Sequence, residues 1–85
     1  MLYYDIKEAG KRIKALRKAK KMTQEQLAER LGKSDVAIRM MESGKTGSSV
    51  TTLIGLAIAL DTTIDYIVMG RNCVVVEEDE KVTEP

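Results

Sequence analysis

Apolar and polar residues in the middle of the chain alternate at helical spacing in two short runs, separated by one glycine. The apolar positions of the first run are Leu27, Ala28 and Leu31. Thr23 and Gln26 have the spacing of a capping box, in which each side chain satisfies the other residue's free backbone N–H. Gly32 supplies the left-handed residue that ends a helix without a Cβ clash. The pattern therefore predicts a helix that begins at Thr23 and a turn at Gly32.

A second short helix is predicted directly after this glycine. Ser34 is its candidate N-cap, and Asp35 has a favourable charge for the positive end of the helix dipole. Its apolar positions are Ile38 and Met41, with Val36 as a further candidate, and we expect it to end at Gly44. Two short helices around a three- to four-residue turn indicate a helix-turn-helix, in which the small Ala28 lets the two helices approach closely.

The flanking sequence predicts three more helices. Helix 1 is expected from Ile6 to about Lys20, with inward positions at Ile6, Ala9, Ile13 and Leu16. Helix 4 is expected after an N-cap at Ser49, with core positions at Val50, Leu53, Ile54, Ala57 and Leu60. Helix 5 is expected over residues 64–69, between a cap at Thr63 and Gly70. Residues 1–70 are thus predicted to form one all-α, five-helix domain.

The last fifteen residues, 71–85, have a different character. A β-branched run of Val74, Val75 and Val76 is followed by a charge run too acidic to pack into a core. A disordered tail is one interpretation, and a short strand that pairs with its twin across a dimer is the other. Cys73 is interpreted as an incidental thiol and not as a redox switch, because the chain has no second cysteine.

Composition limits the chemistry of the chain. Its 85 residues suffice for one small domain, and with no Trp or Phe, aliphatic side chains must fill the core. One cysteine and no histidine argue against an internal disulfide, a zinc site or histidine-based catalysis. We therefore expect no enzymatic activity, no metal and no cofactor. No apolar run has the length of a membrane span and no signal-peptide core is evident, so we expect a cytoplasmic protein without membrane contact.

The formal net charge is +1, but basic and acidic residues are unevenly distributed along the chain. Residues 1–70 hold twelve basic and eight acidic side chains, whereas residues 71–85 hold two and five. Eight of the basic residues lie between Lys7 and Lys21, together with a single acid, Glu8. Such a density of positive charge suits contact with phosphates, although a solvated helix face is an equally reasonable interpretation.

The central motif resembles the phage-repressor helix-turn-helix family, the Cro/repressor or XRE type. The resemblance rests on Gln24, Leu27, Ala28, Leu31, Gly32, Ile38, Met41, Glu42 and Gly44, and it extends from about residue 6 to residue 70. It implies a compact lambda-repressor-like domain, with a short acidic C-terminal tail in this chain. It also implies a sequence-specific transcriptional regulator that binds double-stranded DNA, in most cases a repressor acting as a homodimer on an operator of two half-sites.

The resemblance implies specific roles for residues. Arg17 and Glu42 occupy the positions of a structural ion pair in the family. Bases are expected to be read by Asp35, Val36, Ala37, Arg39 and Met40, and phosphates to be contacted by Gln24, Lys33, Ser34, Lys45 and Thr46. Two departures from the family pattern matter. Ser48 stands where many relatives have proline, and the outward face of helix 3 carries Asp35, which repels phosphates, together with apolar side chains in place of the usual amides.

Alternative functions follow from the same domain. An antitoxin, with a toxin as protein partner, or a restriction-modification controller would use the domain to bind DNA. A protein-interaction module that has lost DNA binding would keep the fold and use the apolar Val36 and Met40 for a protein contact. The dimer surface is predicted to consist of Tyr66, Met69, Val74, Val75 and Val76.

Overall fold

The computed structural model describes residues 4–70, and within that range the protein consists of five helices with no strand. They are α1 (Ile6–Ala19), α2 (Gln24–Leu31), α3 (Asp35–Glu42), α4 (Val50–Ala59) and α5 (Ile64–Met69). The prediction of an all-α, five-helix domain is confirmed. The predicted strand of residues 74–76, Cys73 and the acidic tail lie outside the described residues.

Side-chain caps determine where the helices begin. The Thr23 hydroxyl accepts a hydrogen bond from the Gln26 N–H at 3.0 Å, and the Gln26 side chain accepts one from the Thr23 N–H at 2.9 Å, which completes the predicted capping box. The same role is played at the other N-termini by Asp5, Ser34, Ser49 and Thr63. Helix α3 ends at Glu42, two residues before the predicted Gly44, because Ser43 already forms its C-cap.

The core lies between all five helices and is aliphatic apart from one methionine. Its buried residues are Ala9, Ile13, Leu27, Ala28, Ile38, Met41, Leu53, Leu56, Leu60 and Ile67. Helix α1 packs on α3 and α5, α2 packs on α3 and α4, and α4 packs on α5. The helix-turn-helix is thereby held by a scaffold on two sides. None of the helices within residues 4–70 has the length and apolarity that crossing a membrane requires.

Gly10 is the point at which α1 meets the end of α3. A Cβ atom at this position would lie 2.4 Å from the Met41 carbonyl oxygen and 2.7 Å from that of Glu42. Both are backbone atoms and have little freedom to move. The absence of a side chain at Gly10 therefore allows the close packing of α1 against the C-terminus of α3.

The orientation of α4 differs from the prediction. Val50 and Ile54, which were expected in the core, leave 70% and 47% of their surface exposed, whereas Leu53 and Leu60 are buried as expected. Leu56 supplies the remaining core contact. Apolar residues occur around most of the circumference of α4, so spacing alone fits more than one inward face. The prediction for Val50 and Ile54 was wrong for this reason.

Candidate nucleic-acid interface

The turn between α2 and α3 is fixed by backbone geometry. Gly32 has a φ of +66°, in the left-handed region that glycine adopts without strain. The N–H of Lys33 then donates to the carbonyl of Ala28 at 2.9 Å, closing the end of α2. Ser34 accepts a hydrogen bond from the Ala37 N–H at 3.1 Å and starts α3. The direction of α3 relative to α2 is thus set within three residues.

Helix α3 divides cleanly into a buried and an exposed face. Ile38, Met41 and Glu42 are buried against the scaffold. On the opposite side Val36 is 51% exposed and Met40 is 36% exposed. The five residues predicted to read bases, Asp35, Val36, Ala37, Arg39 and Met40, are all outside the buried set, with Asp35 and Ala37 half-buried. The structure therefore places them together on the accessible side of one helix.

Two of these residues pair with each other along the helix. Arg39 Nη2 lies 3.4 Å from Asp35 Oδ2, at the i,i+4 spacing that brings helical side chains together. About half of each side chain is accessible to solvent, 55% for Arg39 and 44% for Asp35. An ion pair of this kind is worth less than about 1 kcal/mol and exchanges readily for another partner. The guanidinium of Arg39 is therefore available to a competing acceptor.

A shallow groove runs beside the exposed face of α3. It has a volume of about 360 Å³ and lies between α3 and the segment that leads into α4. Its lining includes Lys33, Ala37, Met40, Thr46 and Ser48. Lys33, Lys45 and Thr46 are exposed, so basic and hydroxyl groups flank both ends of α3. The Ser48 hydroxyl donates to the sulfur of Met41 at 3.0 Å.

Gln24, predicted to contact a phosphate, is half-buried and already has a partner. Its amide nitrogen donates to Glu42 Oε1 at 3.1 Å. Because an amide nitrogen carries two N–H groups, this bond leaves one for a second acceptor. The buried carboxylate of Glu42 therefore orients the Gln24 side chain. The sequence pattern did not indicate this contact.

The same carboxylate binds Arg17. Arg17 Nε lies 2.6 Å from Glu42 Oε2, and Arg17 Nη2 lies 3.1 Å from Glu42 Oε1. A third guanidinium nitrogen donates to the carbonyl of Met22 at 2.8 Å. Only 9% of the Arg17 side chain and 3% of the Glu42 side chain are exposed. The two residues that the family resemblance pairs are thus in bidentate contact, joining α1, α3 and the residue before the α2 cap.

Arg12 has a role that sequence reasoning missed. Its Nη1 atom donates to the carbonyl oxygens of Ile67 and Val68 at 2.9 and 3.3 Å, so it caps the C-terminal end of α5. No local sequence pattern predicts this contact, because Arg12 and the two carbonyl groups are more than fifty residues apart. Of the eight basic residues between positions 7 and 21, Arg12 and Arg17 serve the fold, and the six lysines remain exposed.

The predicted dimer surface is only partly covered by the structure. Tyr66 and Met69 are half-buried on α5. The three valines of the same prediction, residues 74–76, lie outside the described residues.

Comparison with known proteins assigns the family. Residues 13–67 match the sequence profile of the helix-turn-helix family. The chain belongs to this family. It is 35% identical over 68 residues to an uncharacterised HTH-type transcriptional regulator, YqaE, of Bacillus subtilis, an alignment that covers 80% of the chain and 59% of YqaE. It is 36% identical over 73 residues to the HTH-type transcriptional activator BcrR of Enterococcus faecalis, covering 86% of the chain and 36% of BcrR.

A solved structure supports the same assignment. The P22 c2 repressor, in complex with a synthetic operator, superposes with a TM-score of 0.72 at 36% identity, covering 74% of the chain and 96% of that structure. The similarity extends along almost the full length of that structure. The chain spans only 59% and 36% of the two curated relatives, which are therefore longer proteins than the shared domain.

Proposed function

We propose that the protein is a sequence-specific DNA-binding transcriptional regulator that places α3 in the major groove. The observation that carries the proposal is the division of α3 into a buried face and an exposed face flanked by basic residues, in a helix-turn-helix of the family to which a repressor–operator complex belongs. In this arrangement α2 crosses the DNA backbone above α3. In this role the protein binds DNA and catalyses no reaction.

The phosphate contacts are proposed for groups around the ends of α3. Lys33 and Lys45 supply positive charge on either side, and Thr46 and Ser34 supply hydroxyl groups. The Ser34 oxygen accepts a backbone N–H in its capping role, which leaves its own O–H to donate. Gln24 contributes the amide N–H that Glu42 does not use. These contacts orient the domain on the duplex and give affinity without sequence information.

Base reading is proposed for the exposed face of α3. Arg39 has a planar fork that suits the O6 and N7 atoms of guanine, and Asp35 can accept a hydrogen bond from the cytosine amino group. Val36 and Met40 offer no donor for a base edge, so they would read thymine through packing against its methyl group. Ala37, between them, is small enough to allow the close approach of the helix to the groove floor.

The assembly is proposed to be a homodimer on an operator of two half-sites. One short recognition helix makes few base contacts, and two-fold symmetry doubles them by placing two copies of α3 roughly 34 to 36 Å apart. Repression by occupation of a promoter, in the cytoplasm, is the regulatory outcome that we propose. It would parallel the P22 c2 repressor, which is bound to a synthetic operator in the similar structure.

Selection of bound duplexes from a random pool, followed by gel shift of the selected sequence, tests the proposal. We expect a pseudo-palindromic site whose affinity falls with increasing salt, because each neutralised phosphate releases counterions. Arg39→Ala should reduce the preference for the selected site, whereas Lys14→Ala, an exposed change on α1, serves as the control. Failure to bind any duplex even at low salt would contradict the proposal and favour a protein-interaction module.

A further inference from the structure

The outer side of α1 carries a row of four lysines. They lie at i, i+4, i+7 and i+11, a spacing that places side chains on one face of a helix. All four are exposed, and at 1.5 Å per residue the row is about 16 Å long. We call this row the α1 lysine face, and it consists of Lys7, Lys11, Lys14 and Lys18.

The positive charge of this face is compensated at one position only within the described part of the chain. Glu8, the single acid of α1, pairs with Lys11 at 3.2 Å. Among residues 4–70, no other carboxylate lies within 4.0 Å of an ammonium group of the face, since the remaining lysine pair joins Lys20 to Asp61. Like charges one helical turn apart repel each other. An anionic segment along the face would relieve this repulsion.

The end of α5 brings the chain to the middle of α1. Arg12 Nη1 donates to the carbonyls of Ile67 and Val68, and a Cβ atom at Gly70 would lie 2.8 Å from Arg12 Nη2. The chain therefore leaves α5 next to Arg12. Ala15, which is exposed and small, lies one turn from both Arg12 and Lys11 on the surface of α1. The route from Gly70 to the α1 lysine face is thus short and crosses no bulky side chain of α1.

We propose that the α1 lysine face is the docking surface for the acidic run of residues 77–80 in the same chain. This run consists of four consecutive acids, Glu-Glu-Asp-Glu, and matches the four lysines in number. Six residues, 71–76, connect it to Gly70, and six residues of extended chain span up to about 20 Å. Every lysine of the face lies within six residues of Arg12 along α1, which is about 9 Å. The acids can therefore reach the whole face while the five helices keep their positions.

The covalent connection favours the chain's own acids over a separate polyanion. A single exposed lysine–carboxylate pair is weak. Groups joined by a short linker, however, meet at an effective concentration of millimolar order. Residues 1–70 carry an excess of basic side chains, twelve to eight, and residues 71–85 an excess of acidic ones, five to two. We therefore expect a contact that forms within one molecule, that salt weakens, and that a stronger polyanion displaces.

The α1 lysine face adjoins the groups proposed to contact phosphates. A Cβ atom at Gly44 would lie 2.7 Å from Lys7 Cγ, so Lys7 lies beside the residue that precedes Lys45. The docked acids would bring negative charge to this region, where it acts over about 8 Å at physiological salt. The following consequence rests on the proposed function. The acidic run competes with DNA phosphates and lowers non-specific binding most, because that binding is almost entirely electrostatic.

Paramagnetic relaxation in the DNA-free protein tests the docking. In a Cys73→Ser background, which removes the native thiol, Thr83→Cys carries a nitroxide label just beyond the acidic run. At low salt we expect the label to reduce the amide signals of the α1 lysine face at least twofold more than those of α4. The difference should disappear in 1 M salt, where the screening length falls to about 3 Å.

A neutral tail is the decisive comparison. In the labelled background, the combined changes Glu77→Gln, Glu78→Gln, Asp79→Asn and Glu80→Gln should abolish the selective signal loss. Glu25→Gln with Glu29→Gln, at exposed positions of α2, is the control and should retain it. Equal signal loss with the native and the neutral tail would overturn the proposal. So would a loss that appears only in mixtures of labelled and isotope-enriched molecules, because it would assign the contact to a second copy.

Non-specific DNA binding gives an independent readout. Removal of four negative charges strengthens DNA binding through net charge alone, so the informative quantity is the coupling between the tail and the α1 lysine face. At low salt the neutral tail should tighten binding of a random duplex about fivefold, but less than about twofold when Lys11→Gln and Lys18→Gln are also present. Lys20→Gln with Arg30→Gln removes two exposed charges outside the face and should leave the fivefold gain intact. Equal gains in all three backgrounds would contradict docking on this face.

The two experiments separate this proposal from the proposed function. If the wild type and the variants bind no duplex even at low salt, the proposed function fails, and the relaxation experiment decides the docking without DNA. If DNA binds but the label affects α1 and α4 alike, the proposed function stands and the docking is wrong. Circular dichroism establishes that all variants remain folded.

Discussion

Arg17 and Glu42 are joined by two hydrogen bonds that cross from α1 to the last residue of α3, with both side chains almost fully buried. The guanidinium is further anchored to the Met22 carbonyl, and the carboxylate also holds Gln24. One ion pair therefore links α1, the C-terminal end of α3 and the start of α2. Glu42 thus stabilises the fold through Arg17 and also positions Gln24, which is proposed to contact a phosphate.

Glu42→Gln should lower stability strongly, because it leaves the Arg17 charge buried without a counter-charge. Breaking a buried pair from one side typically costs about 3 to 5 kcal/mol. Glu29→Gln, an isosteric change at an exposed position of α2, is the matched control and should alter stability by less than about 0.5 kcal/mol. Urea unfolding followed by circular dichroism measures both. Equal unfolding midpoints would show that the pair contributes little.

Two mid-helix glycines should respond to alanine in opposite ways. In an open site, Gly→Ala stabilises a helix by up to about 1 kcal/mol. At Gly10 the new methyl group would meet backbone oxygens of Met41 and Glu42, so we expect a net loss of roughly 1 to 3 kcal/mol. At Gly55 the nearest atom is Cδ2 of Leu31, the far end of a flexible side chain, so Gly55→Ala should be neutral or stabilising. Thermal unfolding of both variants measures the difference, and a stabilising Gly10→Ala would contradict the close approach of α1 and α3.

The local features of the fold were largely predictable from sequence, because caps and terminal glycines act within a few residues. Thr23 with Gln26 and the left-handed Gly32 define α2 without reference to any other part of the chain. The face of α4 was not predictable in this way, since Val50 and Ile54 are as apolar as the leucines that form the core. The apolar residues of α4 that become buried are those that fit against α2 and α5. This fit cannot be derived from the spacing of residues along α4.

The candidate site, too, could be predicted from sequence only where local patterns decide the structure. The exposed residues of α3 follow from helical periodicity once Ile38 and Met41 are assigned to the core. The second role of Gln24, as a donor to Glu42, and the capping of α5 by Arg12 depend on contacts between distant segments. Arg12 was therefore not distinguishable in sequence from the basic residues that could face phosphates, whereas the family resemblance did assign Arg17 to the fold.

Arg12→Met tests whether Arg12 stabilises the fold, in contrast to the exposed lysines of α1. It removes the donor to the carbonyls of Ile67 and Val68, and a lost hydrogen bond to a charged group costs about 1.5 to 3 kcal/mol. Lys14→Met, an exposed change on the same helix, should leave the unfolding midpoint nearly unchanged. Chemical unfolding of the two variants provides the measurement. A larger loss for Lys14→Met would contradict the assignment of Arg12 to the end of α5.

Asp35→Asn should strengthen non-specific binding to DNA. The substitution removes a negative charge that repels phosphates, and it also releases Arg39 from its intrahelical ion pair. Asn keeps the size of the side chain and its favourable position near the helix start. We expect tighter non-specific binding at low salt, with the difference reduced at high salt as screening grows. Fluorescence anisotropy with a random duplex measures it, and weaker non-specific binding by Asp35→Asn would show that Asp35 does not face the DNA backbone.

The apolar side chains of α3 make the most specific prediction about DNA recognition. Val36 and Met40 are exposed and have no donor suited to a base edge, so we expect thymine opposite them in each half-site. Met40→Ala should weaken binding to the selected operator and leave non-specific binding nearly unchanged. Lys45→Ala should instead weaken binding to all sequences alike and reduce the salt dependence by up to about one phosphate contact.

Replacing the proposed thymine by uracil tests this contact directly, because uracil lacks only the methyl group. The wild type should bind the uracil operator more weakly than the thymine operator, and Met40→Ala should bind the two more nearly alike. Lys45→Ala should retain the wild-type ratio between the two operators, since a phosphate contact does not sense the base. If the wild type binds both operators equally and Met40→Ala loses no specific affinity, the apolar face of α3 does not read DNA, and its exposed Val36 and Met40 are better explained by a protein contact.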